Sequence, residues 1–127
     1  MAYTQGIGVE QSDEESTRWL HKAAEQGHAG SQFFLGNQFQ SGEGGVVQSD
    51  EKAAWWYRKA ANQGFAEAQY AFGVCLVTGK GVLQSDTNAA IWWRKASEQG
   101  DMDAQYNLGI LFECGRGVAR SDKEAVT

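Results

Sequence analysis

The side chains able to do chemistry are few in this chain, and their spacing does not gather them. His21 and His28 stand seven residues apart on either side of Gly27. An imidazole pair could hold a metal or relay a proton, but no further ligand accompanies them. Cys75 and Cys114 lack the close Cys-x-x-Cys spacing of a zinc site and are expected as free thiols, buried or partly buried. Paired carboxylates occur at Asp13-Glu14-Glu15 and at Asp101-x-Asp103. Both lie where a helix begins, and there the helix dipole and solvation account for them. The run from Gly73 to Lys80-Gly81 has the outline of a phosphate-binding loop, but it holds one residue too many and places glycine where serine or threonine should follow the lysine. No nucleophile–base–orienter set is present. The expectation is a protein that is not an enzyme, with no cofactor and no metal.

Composition narrows the partners. Lys plus Arg number 11 against 16 Asp plus Glu, a formal charge of −5, which disfavours a surface that binds nucleic acid by neutralising phosphates. No apolar run approaches the ~20 residues a bilayer span needs, so no membrane insertion is expected. At 127 residues, 42% hydrophobic and 12% aromatic, the chain is long enough for one continuous core and too apolar for disorder.

What would position any site is a repeat. Glycine makes up 16 of 127 residues, with no proline, against a ~7% average for glycine. Gln26-Gly27, Gln63-Gly64 and Gln99-Gly100 recur at spacings of 37 and 36. Trp19, Trp56 and Trp92 share that phase, as do the Ser-Asp pairs at Ser12, Ser49, Ser85 and Ser121. Residues 46–81 and 82–117 are identical at 18 of 36 positions. His28 falls in a slot that Phe65 and Asp101 fill in the other copies, and the two cysteines share no repeat position.

Each period carries two helical signals. Ser49-Asp50 offers an N-cap, Ala53, Trp56, Tyr57 and Ala60 follow at helical spacing, and Gly64 stops the run. A second run from about Phe65 to Thr78 repeats Ala66, Tyr70, Gly73, Val74 and Val77 at helical spacing and closes at Gly79-Lys80-Gly81-Val82. Small residues at Ala60, Ala68 and Gly73 let backbones approach, and the rings of Trp56, Tyr57 and Tyr70 fill the remaining volume. Trp19, Trp56 and Trp92 read as packing residues by register. Trp55, whose register partners are Arg18 and Ile91, reads as a surface residue and a candidate contact point.

The run Ala53-x-x-Trp56-Tyr57-Arg58-Lys59-Ala60-Ala61-x-Gln63-Gly64, continuing through Ala68-Gln69 and Gly73 to Gly79-x-Gly81-Val82, resembles the Sel-one-like repeat family, relatives of the tetratricopeptide repeats. Residues 82–118 repeat the pattern. The first copy departs from it, with Ser16 for the opening alanine and Asn37-Gln38 where later copies carry Val74-Cys75 and Ile110-Leu111.

The resemblance implies an all-α fold, an α/α superhelix or solenoid of antiparallel helix pairs that is right-handed and has a period of 36–37 residues. It also implies a non-catalytic interaction scaffold or adaptor, binding a protein or peptide on its concave face. By analogy with tetratricopeptide repeats the second helix of each pair lines that face. The partner-binding positions then read Phe33, Asn37 and Gln40, next Tyr70, Val74 and Val77, and finally Tyr106, Ile110 and Glu113, grading from polar to apolar. For the rings at Phe33, Tyr70 and Tyr106 the competing assignment is core filler. The alternative function is a repeat module of a larger enzyme or regulatory protein whose active site lies elsewhere.

As organisation, residues 1–127 form a single array. Residues 1–9 are the tail of a helix with its closing turn, 12–27 an outer helix, 28–64 and 65–100 full repeats, and 101–127 a partial repeat. The incomplete ends lead us to expect end-to-end self-association. The absence of a signal peptide in this chain and of paired cysteines favours a reducing, cytoplasmic setting.

Overall fold

The computed structural model describes the backbone of residues 5–115 and the side chains of residues 15–115. The part of the 101–127 partial repeat that lies beyond residue 115, with its cap at Ser121, lies outside the described residues.

The described residues form six helices and no strand: α1 Gln5–Glu25, α2 Ala29–Ser41, α3 Asp50–Asn62, α4 Ala66–Thr78, α5 Asp86–Glu98 and α6 Met102–Cys114. Three residues join α1 to α2, α3 to α4 and α5 to α6. So short a connection can only fold two helices back into an antiparallel hairpin. All extensive contacts are between helices consecutive in the chain, the one-dimensional order of a solenoid.

Local chemistry sets the ends. The side chains of Ser49, Ser85 and Asp101 accept from the backbone N–H groups of Lys52, Asn88 and Ala104, satisfying donors that have no partner inside the helix. Gly27, Gly64 and Gly100 take φ of +99°, +91° and +96° where each outer helix stops, a conformation open to glycine and strained for other residues.

At the N-terminus the structure departs from the sequence reading. Gly6-Ile7-Gly8-Val9, read as a closing turn, lies in the first turns of α1, and Ser12, read as an N-cap, is interior to that helix. No proline interrupts the run, so continuing the helix through Gly6 and Gly8 costs only about 1 kcal/mol per glycine.

The core runs along the stack in two connected clusters. One centres on Leu35, Trp56, Tyr57 and Phe72, the other on Trp93, Leu108 and Leu111. Two devices couple the repeats. The first is a ring seated on a glycine. A β-carbon on Gly36 would stand 2.6 Å from the Tyr57 ring, and one on Gly73 would collide with the Trp93 indole. Trp93 Nε1 also donates to the Tyr70 carbonyl oxygen at 3.0 Å. The second is a chain of buried amides. Gln32 and Gln69 donate to the carbonyl oxygens of Ala24 and Ala61, and their own Oε1 atoms accept from Gln63 and Gln99 at 2.9 and 3.0 Å. Each amide thus bridges its hairpin to the next.

The tryptophan register needs correction. Trp56 is buried and Trp92 is half-buried against Phe72, but Trp19 is 65% exposed, with Lys22 Nζ 5.4 Å from its ring centroid. Trp93, not Trp92, is the ring that seats on a glycine. Trp55 lies at the surface, as its register suggests, with Lys59 over its ring.

Candidate partner-binding groove

The second helix of each hairpin, α2, α4 and α6, lines one side of the stack. Two adjoining hollows open there and share Tyr70 and Val74. The wider, about 440 Å³, is walled by Phe33, Asn37 and Gln40 of α2, Tyr57 of α3, Glu67, Tyr70, Ala71 and Val74 of α4, and Asp101 and Asp103 at the start of α6. The narrower, about 300 Å³, is walled by Tyr70, Val74, Val77, Trp93, Asn107, Ile110 and Leu111. Three successive hairpins therefore contribute to one continuous depression, mixed in polarity at one end and mainly apolar at the other.

Its floor is fixed by packing. Tyr57, 1% exposed, aims its hydroxyl at the wall and donates to Asn37 Oδ1 at 2.6 Å, with Gln40 Oε1 at 3.1 Å as the alternative acceptor. Burial pushes this phenol well above its usual range, and the nearby Cys75 adds to the shift. The group stays protonated and keeps the two amides in place. Tyr70 is stacked on Trp93 at 6.2 Å, and its hydroxyl accepts from Asn107 Nδ2 at 3.3 Å.

Of the nine positions assigned to the wall from sequence, Phe33, Asn37, Gln40, Tyr70, Val74, Val77 and Ile110 border the hollows. Tyr106 and Glu113 do not, and Tyr106 is 71% exposed. The reason is geometric. Phe33 packs on Tyr57 and Tyr70 on Trp93, each a ring from the following outer helix. Among the described residues no helix follows α6 to turn the Tyr106 face inward. That exposure also removes Tyr106 from the core-filler assignment, whereas Phe33 packs against the core and Tyr70 against its second cluster.

Sequence reading missed Tyr57, Asn107, Trp93 and the acidic rim of Glu67, Asp101 and Asp103. For Tyr57 and Trp93 a signal existed: a large ring 20–21 residues after a mid-helix glycine in two consecutive copies.

The residues first weighed for chemistry are engaged structurally. His28 caps α2, its Nδ1 accepting from Ser31 N at 3.0 Å. His21 pairs with Glu25 at 3.1 Å and sets its ring edge-on to Trp56. Cys75 is buried, and desolvation, with the Asp50 carboxylate nearby, pushes its thiol up to about 11. Cys114, expected to be at least partly buried, is exposed in the last turn of α6. Among the described residues no group of three or more metal-ligating side chains gathers, and no helix is long and apolar enough to cross a membrane.

Comparison with known proteins gives a consistent picture. A family model, Sel1 repeat, matches residues 1–28, 29–65, 66–101 and 103–127. A protective antigen of uropathogenic Escherichia coli displaying an SLR fold is similar at 36% identity and TM-score 0.76, over 80% of this chain and 22% of that one. A Sel1 repeat protein from Oxalobacter formigenes is similar at 38% identity and TM-score 0.80, over 85% and 44%. Cysteine rich protein B of Helicobacter pylori is similar at 29% identity and TM-score 0.69, over 72% and 68%. The chain thus spans about a fifth of the first of these proteins and less than half of the second. No curated protein matches it.

Proposed function

Because the chain belongs to the Sel1 repeat family, whose members are typically protein-interaction scaffolds and generally non-catalytic, we propose that its α2–α4–α6 groove receives a peptide segment of a partner protein and performs no chemistry on it. The observation that carries this reading is the continuous depression shared by three hairpins, with a rigid aromatic floor and half-exposed apolar and amide side chains along its walls. A concave, largely preformed surface of this kind holds a ligand at low ordering cost.

The test is a peptide selected from a displayed random library against the intact protein and measured by calorimetry. Val74→Asp and Ile110→Asp should each weaken it at least tenfold, while Ile91→Asp, on the exposed outer face of α5, should leave it unchanged. Equal affinity for all four proteins overturns the groove as the binding site.

A second, separate reading concerns the end of the stack. Met102, Tyr106, Ile110 and Phe112 are all exposed on α6, and among the described residues nothing lies within 4 Å of a β-carbon built on Gly109. In the two preceding copies the equivalent glycines each receive a ring. This end is proposed as a self-association surface. Light scattering across a wide concentration series should show mass growth that Tyr106→Glu abolishes; a monomer at every concentration rules it out.

A further inference from the structure

The charges on the helices lining the groove are of one sign. Helix α2 carries no charged residue, α4 carries only Glu67, and α6 carries Asp103 and Glu113, with Asp101 as its cap. Among the described residues the basic side chains sit on the outer helices, at Arg18 and Lys22, at Lys52, Arg58 and Lys59, and at Arg94 and Lys95, with Lys80 alone in the turn after α4. Among the described residues no lysine or arginine borders either hollow, whereas a third hollow, which opens between the outer helices, includes Arg58. Three carboxylates stand around the mouth of the wider hollow, and none has an ion-pair partner among the described residues. Only Asp101 is engaged, one oxygen accepting from Ala104 N. Like charges held around a concavity without counter-charge raise the local potential for a cation.

The groove also differs along its length. Beside the carboxylates, the one proton of the Tyr57 hydroxyl goes to Asn37 Oδ1 or, as the alternative, to Gln40 Oε1, and both amides turn their oxygens toward that hydroxyl, which leaves their NH₂ groups as donors for the carbonyl oxygens of an incoming backbone. Past Val74 the walls become aliphatic and aromatic.

Resting on the groove reading above, we propose that the occupant is an extended peptide in which a lysine or arginine stands within a few residues of a bulky apolar side chain. The cation enters the wider hollow among Glu67, Asp101 and Asp103, and the apolar side chain enters the narrower hollow on Val74 and Ile110. Charge complementarity selects this partner over an acidic one, because an acidic segment would meet three carboxylates and, among the described residues, no cation.

The experiment uses the intact protein and a set of synthetic labelled octapeptides pairing Arg, Lys, citrulline or Glu at one position with Phe, Leu or Ser at another, at varied separation, read by fluorescence anisotropy. Peptides with Arg or Lys plus Phe or Leu should bind best, roughly tenfold better than their citrulline or Ser counterparts, with affinity falling as salt rises. Glu67→Gln combined with Asp103→Asn, both exposed positions, should reduce the preference for Arg over citrulline to less than about threefold while leaving the preference for Phe over Ser intact. If peptides bind and are lost in Val74→Asp but show no preference for a cation, the charge inference fails and the groove reading stands. If no peptide binds, or binding survives Val74→Asp, both readings fail.

Discussion

The sharpest test of how the repeats interlock is to make the same change at two equivalent positions, Gly73→Ala and Gly109→Ala. They lie 36 residues apart, each in the middle of an inner helix. In both, replacing glycine by alanine inside a helix contributes about 1 kcal/mol of stability from backbone propensity alone. At Gly109 that is the whole effect, since a β-carbon there meets no described atom within 4 Å. At Gly73 the new carbon drives into the indole of Trp93, a ring 4% exposed and tied to the Tyr70 carbonyl oxygen at 3.0 Å. Overpacking of this kind costs about 1–3 kcal/mol. Moving the indole also breaks a buried hydrogen bond, worth about 1–3 kcal/mol if the carbonyl oxygen goes unpaired. Net of propensity, Gly73→Ala should lose about 1–5 kcal/mol, against the ~6–19 kcal/mol expected for a chain of this size. With a urea slope of about 1–3 kcal/mol per molar, the two variants should move their midpoints in opposite directions, separated by at least about 0.7 M. The readouts are far-ultraviolet circular dichroism and tryptophan fluorescence. Equal shifts, or a stabilised Gly73→Ala, would refute the ring-on-glycine coupling.

Three further outcomes follow from the same contacts. Trp56→Ala, at a buried position, should cost about 3–5 kcal/mol in urea unfolding, and Trp19→Ala, at an exposed one, less than about 1. Gln69→Ala should destabilise by about 1–3 kcal/mol because it removes two hydrogen bonds at a buried side chain, to the Ala61 carbonyl oxygen and from Gln99 Nε2, although each of those groups keeps a second partner at Gly64, while Gln105→Ala, exposed on α6, should cost less than about 1 kcal/mol on the same scale. The folded pKa of Cys75 lies above that of an unfolded thiol, so the stabilisation from keeping it neutral is full below pH 9 and lost as pH rises from about 9 to about 11. Unfolding midpoints over that interval should fall less steeply in Cys75→Ala, and in the folded protein at pH 8 a thiol reagent should label Cys114 and not Cys75.

Much of the fold was legible because the repeat is written in residues with narrow physical roles. Gln-Gly marks where each outer helix must stop, Ser-Asp where α3 and α5 begin, and the identity of two consecutive copies fixes the period. Register alone could not tell which large ring enters the neighbouring repeat. Trp92 shares a phase with Trp56, yet Trp93 is the one facing Gly73. A shift of one residue turns a side chain by about 100° around a helix, and only the partner's surface decides which ring points inward. Trp19 and Tyr106 failed for a related reason. Register marks equivalent positions, but burial in a stack comes from the adjacent unit, and among the described residues none covers the Trp19 or the Tyr106 ring. The acidic rim was overlooked because Asp101 and Asp103 read as helix electrostatics within their own repeat. Their approach to Phe33 and Asn37, two hairpins earlier, is a property of the curvature and not of any local pattern.

The groove and the core are built from the same rings, and this decides what mutagenesis can separate. Tyr57 seats on Gly36, bonds the two wall amides and borders the wider hollow. Any truncation of it changes stability and surface together, and a lost interaction there would be uninformative about contact with a partner. Tyr70 is coupled in the same way through Trp93 and Asn107. Glu67, Asp103 and Ile110 are exposed, and each can be changed with little effect on the stack. A binding surface whose floor is also the inter-repeat contact has a further consequence. A partner that presses on Tyr57 and Tyr70 should stabilise the junctions between hairpins, so ligand binding should raise the unfolding midpoint of all three hairpins together. Amide exchange at Ala61 and Gly64, on the backbone bridged by Gln69 and Gln99, is where that coupling should be visible. Protection there should rise with saturating peptide even though neither residue borders the groove, and exchange unchanged at these sites would show that the floor and the junctions respond independently.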